Sequence, residues 1–237
     1  DTGMHRLGFA PQDVPELIAR LKRQTSVIPR SVFSHLAGSD GDQFDSFTRK
    51  QIETFEKASE ELQSAFPHKI LRHICNTAGI QRYPGAQFEM VRLGLGLYGV
   101  DPYTNQMLHN VSTLKTTILQ IRDVPQEDSV GYSRKGRLNR DSRIAAIPIG
   151  YADGLNRRLG NGNAYCLVNG QKAPYVGNIC MDVCMIDVTD IDCREGDKVI
   201  IFGDDLPVTV LSDVLETIPY EILTSVSNRV KRIYYQD

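Results

Sequence analysis

At Pro102 the rhythm of apolar residues changes, and one layer pattern does not describe both halves of the chain. Before it, strand and helix alternate. Pro11-Gln-Asp-Val-Pro-Glu opens a helix in which Val14, Leu17, Ile18 and Leu21 recur at helical spacing. Val32, Phe33 and Leu36 mark a short strand ending at His35. Residues 44–66 read as a long amphipathic helix with Phe44, Phe47, Ile52, Phe55, Leu62 and Phe66 turned inward. Residues 70–73 are the next strand, Cys75-Asn-Thr-Ala-Gly the loop after it, and 88–91 the strand that follows. This succession predicts parallel α/β packing.

Beyond Pro102 the pattern is mostly strands. Residues 111–124, 143–149, 165–168, 181–188, 199–202 and 230–235 read as strands divided by turns. Asn169-Gly170 predicts a type I′ hairpin, Gly160-Asn-Gly-Asn a turn, and residues 211–226 one helical interruption carrying the Pro219-Tyr220 step. The expected organisation is an α/β domain over 1–103 and an all-β barrel or sandwich over 104–237.

Composition narrows the function classes. With 237 residues, 41% hydrophobic, 24% charged and a net charge of −2, nothing suggests a polybasic surface for nucleic acid or membrane. No apolar run approaches the ~18 residues of a spanning helix, so a cytoplasmic protein is expected. Cysteines 75, 166, 180, 184 and 193 show no C-x-x-C spacing, which predicts free thiols and no metal site.

Chemistry concentrates in a few stretches. Residues 88–102, FEMVRLGLGLYGVDP, place Arg92 where a strand gives way to a loop, and Gly94, Gly96 and Gly99 let backbone N–H groups close on a ligand such as phosphate. A glycine-rich crossover with a solvated arginine is the equal alternative from these residues alone. Two further motifs, IPIGYADG at 147–154 and VGNICMD at 176–182, follow, and DTGMHRLGF opens the chain. In order, the four resemble the pyridoxal-phosphate-dependent alanine racemases, and the resemblance runs from Asp1 to about Tyr235.

The resemblance implies the second half of a TIM-type (β/α)8 barrel followed by a C-terminal β-barrel domain. It implies interconversion of L- and D-alanine on pyridoxal phosphate, supplying D-alanine for peptidoglycan, in a homodimer. Only three or four strand–helix units precede Pro102, where a closed barrel has eight. The family's Schiff-base lysine lies on the first barrel strand, and none of the nine lysines here sits in a matching motif. The chain is therefore read as the C-terminal part of a racemase, inactive alone. Its GYSRKG and VGNICMD forms also resemble racemase domains fused behind a muropeptide ligase.

Carried over position by position, Tyr132 is the second catalytic base, acting across the dimer interface. A phenol in that role needs nearby cations or hydrogen-bond donors. Arg92 faces the pyridine nitrogen, to which a guanidinium cannot give up a proton, and His35 supports it. Thr77, the N–H groups of Gly94 and Leu95, and Tyr220 bind the phosphate. The backbone N–H of Met181, together with Arg6 and Tyr132, meets the substrate carboxylate, and Tyr151, Asp153 and Arg157 line the access corridor. The family often has arginine just before ICMD; this chain has Asn178, so the corridor lacks that cation. The alternatives are a non-catalytic binding or oligomerisation module, or a related pyridoxal-phosphate racemase for serine or lysine. The short corridor motifs favour alanine.

Overall fold

The structure is a computed structural model and describes residues 1–235. The chain divides into two compact units, Asp1–Leu108 and His109–Asp237.

In the first unit, helix α1 (Val14–Lys22) leads to strand β1 (Ser31–Phe33), helix α2 (Asp45–Ser64), strand β2 (Leu71–His73) and helix α3 (Thr77–Arg82). The two strands pair in parallel with Phe33 opposite His73, as the strand–helix–strand order requires. Leu36, Phe55, Ile74, Cys75, Tyr83 and Ala86 form the core. Helix α2 is latched to the exit of β1 by a buried amide: Gln51 Nε2 donates to the His35 carbonyl (3.1 Å), and its Oε1 accepts the Ala37 N–H (2.9 Å).

Three expectations for this unit are corrected. Phe44 and Phe47 are exposed, so the buried stripe of α2 is narrower than its apolar pattern and centres on Phe55 and Leu62. The segment after β2 is not a loop, because the Asn76 side chain accepts the Gly79 N–H (2.9 Å) and caps α3. Residues 88–91 form no strand: Phe88 has φ 49°, which breaks the extended run. Only Glu89 N–H to the Arg72 carbonyl (3.3 Å) and Arg92 N–H to the Cys75 carbonyl (3.0 Å) remain of the expected pairing.

The second unit is built on strands β3 (Leu114–Thr117), β4 (Gln120–Val124), β7 (Ser142–Ile147), β8 (Tyr165–Val168), β9 (Gln171–Val176), β10 (Cys184–Asp187) and β11 (Lys198–Phe202). They make one antiparallel sheet in the order β3-β11-β8-β9-β10-β7-β4. The edge strands β3 and β4 are joined by Ile118 and Leu119 alone, so the two ends of the sheet are drawn together and the sheet must curl. A separate ribbon pairs β5 (Ser129–Val130) with β6 (Gly136–Arg137). Asn169 (φ 49°) and Gly170 (φ 77°) turn β8 into β9 with Val168 opposite Gln171, the hairpin expected from their pairing.

Here too the sequence reading needs correction. The single helix expected at 211–226 is two, α4 (Val208–Leu215) and α5 (Pro219–Ser225), because Glu216 adopts a left-handed conformation and Pro219 starts a new turn. Residues 230–235 are assigned no strand, and Ile233, Tyr234 and Tyr235 are exposed. The cysteines are free. Burial pushes the Cys75 thiol up to about 11 and that of Cys166 up to about 12, so neither is a ready nucleophile. Among the described residues no helix is long and apolar enough to cross a membrane.

Candidate active site

Arg92 is the most heavily engaged side chain of the first unit. Its Nη1 donates to His73 Nδ1 (2.5 Å) and the His73 carbonyl (3.1 Å). Its Nη2 is shared among the Ser34 carbonyl (2.5 Å), the Ile74 carbonyl (3.2 Å) and His35 Nδ1 (3.3 Å). Nε–H, the remaining donor, has no acceptor among the described residues. Below the guanidinium lies the Phe33 ring, 5.2 Å away, itself stacked on His73. His35, read as supporting Arg92, lies within hydrogen-bond reach of it through Nδ1. His73 was not expected, although it closes β2 much as His35 follows β1.

Both imidazoles are held neutral. Burial and the Arg92 charge push His73 down, and burial, Arg92 and Arg6 do the same to His35. A neutral ring can accept through Nδ1; a protonated one cannot and would repel the guanidinium. Folded pKa values below the unfolded 6.5 mean that the contribution is fully present above that pH and is lost as pH falls through the folded values. Lowering the pH from about 7 to about 5.5 should therefore reduce the urea midpoint of the first unit, and His73→Gln should flatten the dependence. An equally steep dependence in that variant would count against the account.

Beside Arg92 the chain makes a short 3-10 turn, Leu95–Tyr98. Thr77 Oγ1 accepts N–H groups from Gly94 (3.0 Å) and Gly96 (3.2 Å). With its lone pairs occupied, the hydroxyl has its proton left to give. The Leu95 N–H opens the turn and has no acceptor within it. A Cβ on Gly96 would come within 2.8 Å of Thr77 Cγ2, so this close approach requires glycine. A hydroxyl proton and a free N–H suit a phosphate, and a leftover Nε–H on a fixed cation suits an unprotonated ring nitrogen. The donor set fits pyridoxal phosphate.

The remaining candidates lie in the second unit, apart from Arg6, which is exposed in the first with its charge felt at His35. IPIGYADG and NICMD are zipped together, with Tyr151 N–H on the Cys180 carbonyl and Ala152 N–H on the Met181 carbonyl, each 3.0 Å. Met181 is exposed, and its own N–H makes no hydrogen bond among the described residues. Arg157 lies over the half-exposed Tyr151 ring at 6.0 Å. Tyr132 is 73% exposed on a tight turn between β5 and β6, and Tyr220 is the second residue of α5.

Asp153 differs from its expected place along a corridor. It is 8% exposed and ties its own loop together, accepting Gly150 N–H (2.9 Å) and Arg229 Nε–H (2.7 Å). Burial pushes its carboxyl up, but the Arg229 and Gly150 hydrogen bonds and the Arg229 charge outweigh this and hold it below the ordinary carboxylate value. Arg229 also donates to Asp182 (2.5 Å), fastening the two motifs from behind. Nothing in the local sequence marks Arg229 for this task.

Comparison with known proteins follows the same division. Residues 1–102 match the family described as alanine racemase, N-terminal domain, and residues 111–234 the one described as alanine racemase, C-terminal domain. Alanine racemase 1 of Clostridium acetobutylicum is 38% identical over 250 residues, covering 100% of this chain and 64% of that protein. The crystal structure of alanine racemase from Streptomyces lavendulae superposes with a TM-score of 0.91 at 28% identity, over 100% of this chain and 65% of that one. The Bartonella henselae alanine racemase, with covalently bound pyridoxal phosphate, gives 0.84 at 34% identity, over 99% and 65%. The chain thus spans just under two thirds of the length of these relatives. By motif, by sequence match along both units and by fold, it belongs to the alanine racemase family.

Proposed function

We infer that the chain is the part of an alanine racemase that holds the non-covalent end of pyridoxal phosphate and supplies one of two acid–base groups, working as a homodimer. The first unit would be the second half of an α/β barrel and the curled sheet a β-barrel domain. One observation carries the reading: Arg92 Nη1 and Nη2 are engaged by the chain and its Nε–H is left over.

When bound, pyridoxal phosphate supplies the electron sink that acidifies the substrate Cα–H. Thr77, through its hydroxyl proton, the Leu95 N–H and Tyr220 would hold the phosphate, while the Gly94 N–H, expected there too, is spent on Thr77 Oγ1. With pyridoxal phosphate bound, Arg92 would offer its Nε–H to the ring nitrogen and keep its own proton, which would limit how far that sink is drawn upon. The Met181 N–H, with Arg6, orients the carboxylate, and Tyr132 exchanges a proton at Cα on one face, in trans. None of the nine lysines matches the family's covalent attachment point. The short corridor motifs carrying Tyr151 and Arg157 fit a small substrate, alanine ahead of serine or lysine.

The test compares pyridoxal phosphate with pyridoxal by equilibrium dialysis against this chain. The phosphate should strengthen binding, and Thr77→Val should weaken it about fivefold to tenfold by removing a donor to a charged oxygen. Racemisation is then assayed after adding the N-terminal part of a relative that this chain does not span. Equal binding of both compounds, with no turnover after complementation, would leave a pairing module as the better reading.

A further inference from the structure

The turn that carries Tyr132 is held in an unusual conformation from outside. Gly131 (φ 76°), Ser133 (φ 57°) and Arg134 (φ 51°) all occupy the left-handed side of backbone space, which a two-residue-stranded ribbon does not impose by itself. Within the ribbon the turn is tied by Lys135 N–H to the Tyr132 carbonyl (3.4 Å), Arg134 N–H to the Gly131 carbonyl (3.3 Å) and Arg134 Nε to Ser129 Oγ (2.8 Å). From outside comes Asn178, whose Nδ2 donates to the Tyr132 carbonyl at 3.4 Å. Its Oδ1 accepts from Asn161 Nδ2 at 3.1 Å, and Asn161 N–H is fixed on the Gly177 carbonyl at 2.8 Å.

The backbones beneath are pressed together. A Cβ on Gly177 would lie 2.7 Å from the Val130 carbonyl oxygen and 3.3 Å from the Gly136 nitrogen, and one on Gly136 2.7 Å from the same oxygen. The strand end that carries Asn178 is therefore seated directly on the ribbon that carries Tyr132. We propose that Asn178, braced by Asn161, is a positioning residue that fixes the Tyr132 turn. The role rests on the reading of Tyr132 as an acid–base group; the mechanical link does not.

Two readouts separate those claims. The first is hydrogen exchange by mass spectrometry on this chain, over a peptide spanning 131–135, with the β10 peptide as internal reference. Asn178→Asp keeps the acceptor for Asn161 and loses the donor to Tyr132. It should raise exchange in the turn about fivefold, as should Asn178→Ala, with β10 unchanged, in line with loss of one modest hydrogen bond. Asn161→Ala should have a smaller effect of the same sign. Turn exchange within twofold of the parent in both Asn178 variants would overturn the link.

The second readout is racemisation in the complemented full-length protein. Asn178→Asp should lower kcat with KM unchanged, because a misplaced phenol costs rate rather than substrate affinity. A loosened turn with unchanged kcat, in a protein where Tyr132→Phe abolishes turnover, would overturn the positioning role alone. Retention of activity by Tyr132→Phe would instead overturn the catalytic reading, and the exchange result would stand apart from it.

Discussion

Tyr132→Phe is expected to lower racemisation in the complemented protein by about a thousandfold while leaving cofactor binding by the first unit unchanged. Losing a positioned acid–base group typically costs 10²–10⁴ in rate. The substitution removes one oxygen from a ring that is 73% exposed and is not part of the buried core, so the fold should be untouched. Because each base serves one face of Cα, the variant should also become asymmetric. Exchange of solvent deuterium into the Cα position should persist for one enantiomer and stop for the other. Exchange lost equally from both would mean that Tyr132 supports the site instead of moving a proton.

Gly150→Ala should strongly destabilise the second unit. A Cβ at this position would collide with the Cys180 and Met181 carbonyl oxygens, which are backbone atoms with no rotamer to escape into. Those two carbonyls accept the Tyr151 and Ala152 N–H groups, so relieving the clash pulls apart the contact between IPIGYADG and NICMD. Overpacking together with loss of two hydrogen bonds amounts to about 3 kcal/mol, or roughly 10 °C in melting temperature for a unit of this size. Circular dichroism melts provide the check, and a shift under about 2 °C would show that the loop yields cheaply.

What could be read from the sequence was what depends on neighbours along the chain. The Asn169-Gly170 hairpin, helix α1 and strand β8 follow from local backbone preference and spacing, and they stand where expected. Phe44 and Phe47 misled because an apolar period says which face is apolar, not how far the partner surface extends. Residues 88–91 misled because a strand is defined by its pairing, and the left-handed Phe88 leaves too little of it. In the candidate site, motif resemblance singled out Arg92, His35 and Thr77, and the structure brings His35 to Arg92 and Thr77 to the Gly94 and Gly96 N–H groups. His73 was not singled out, since its part comes from the β1–β2 register, which sets Phe33 opposite it. Asp153 kept its motif but is turned inward by Arg229, a partner 76 positions away.

Arg92 also acts as a rivet. Its guanidinium joins carbonyls at the ends of β1 and β2, those of Ser34, His73 and Ile74, so the same charge that would serve the reaction also aligns two strands. A descendant of this protein that abandoned catalysis would still be under pressure to keep that arginine, because losing it would strip acceptors of their donor inside the sheet. Finding Arg92 in a distant homologue therefore testifies to intact architecture. Tyr132, whose exposed phenol supports no such architecture, is the position where lapsed chemistry would first become visible.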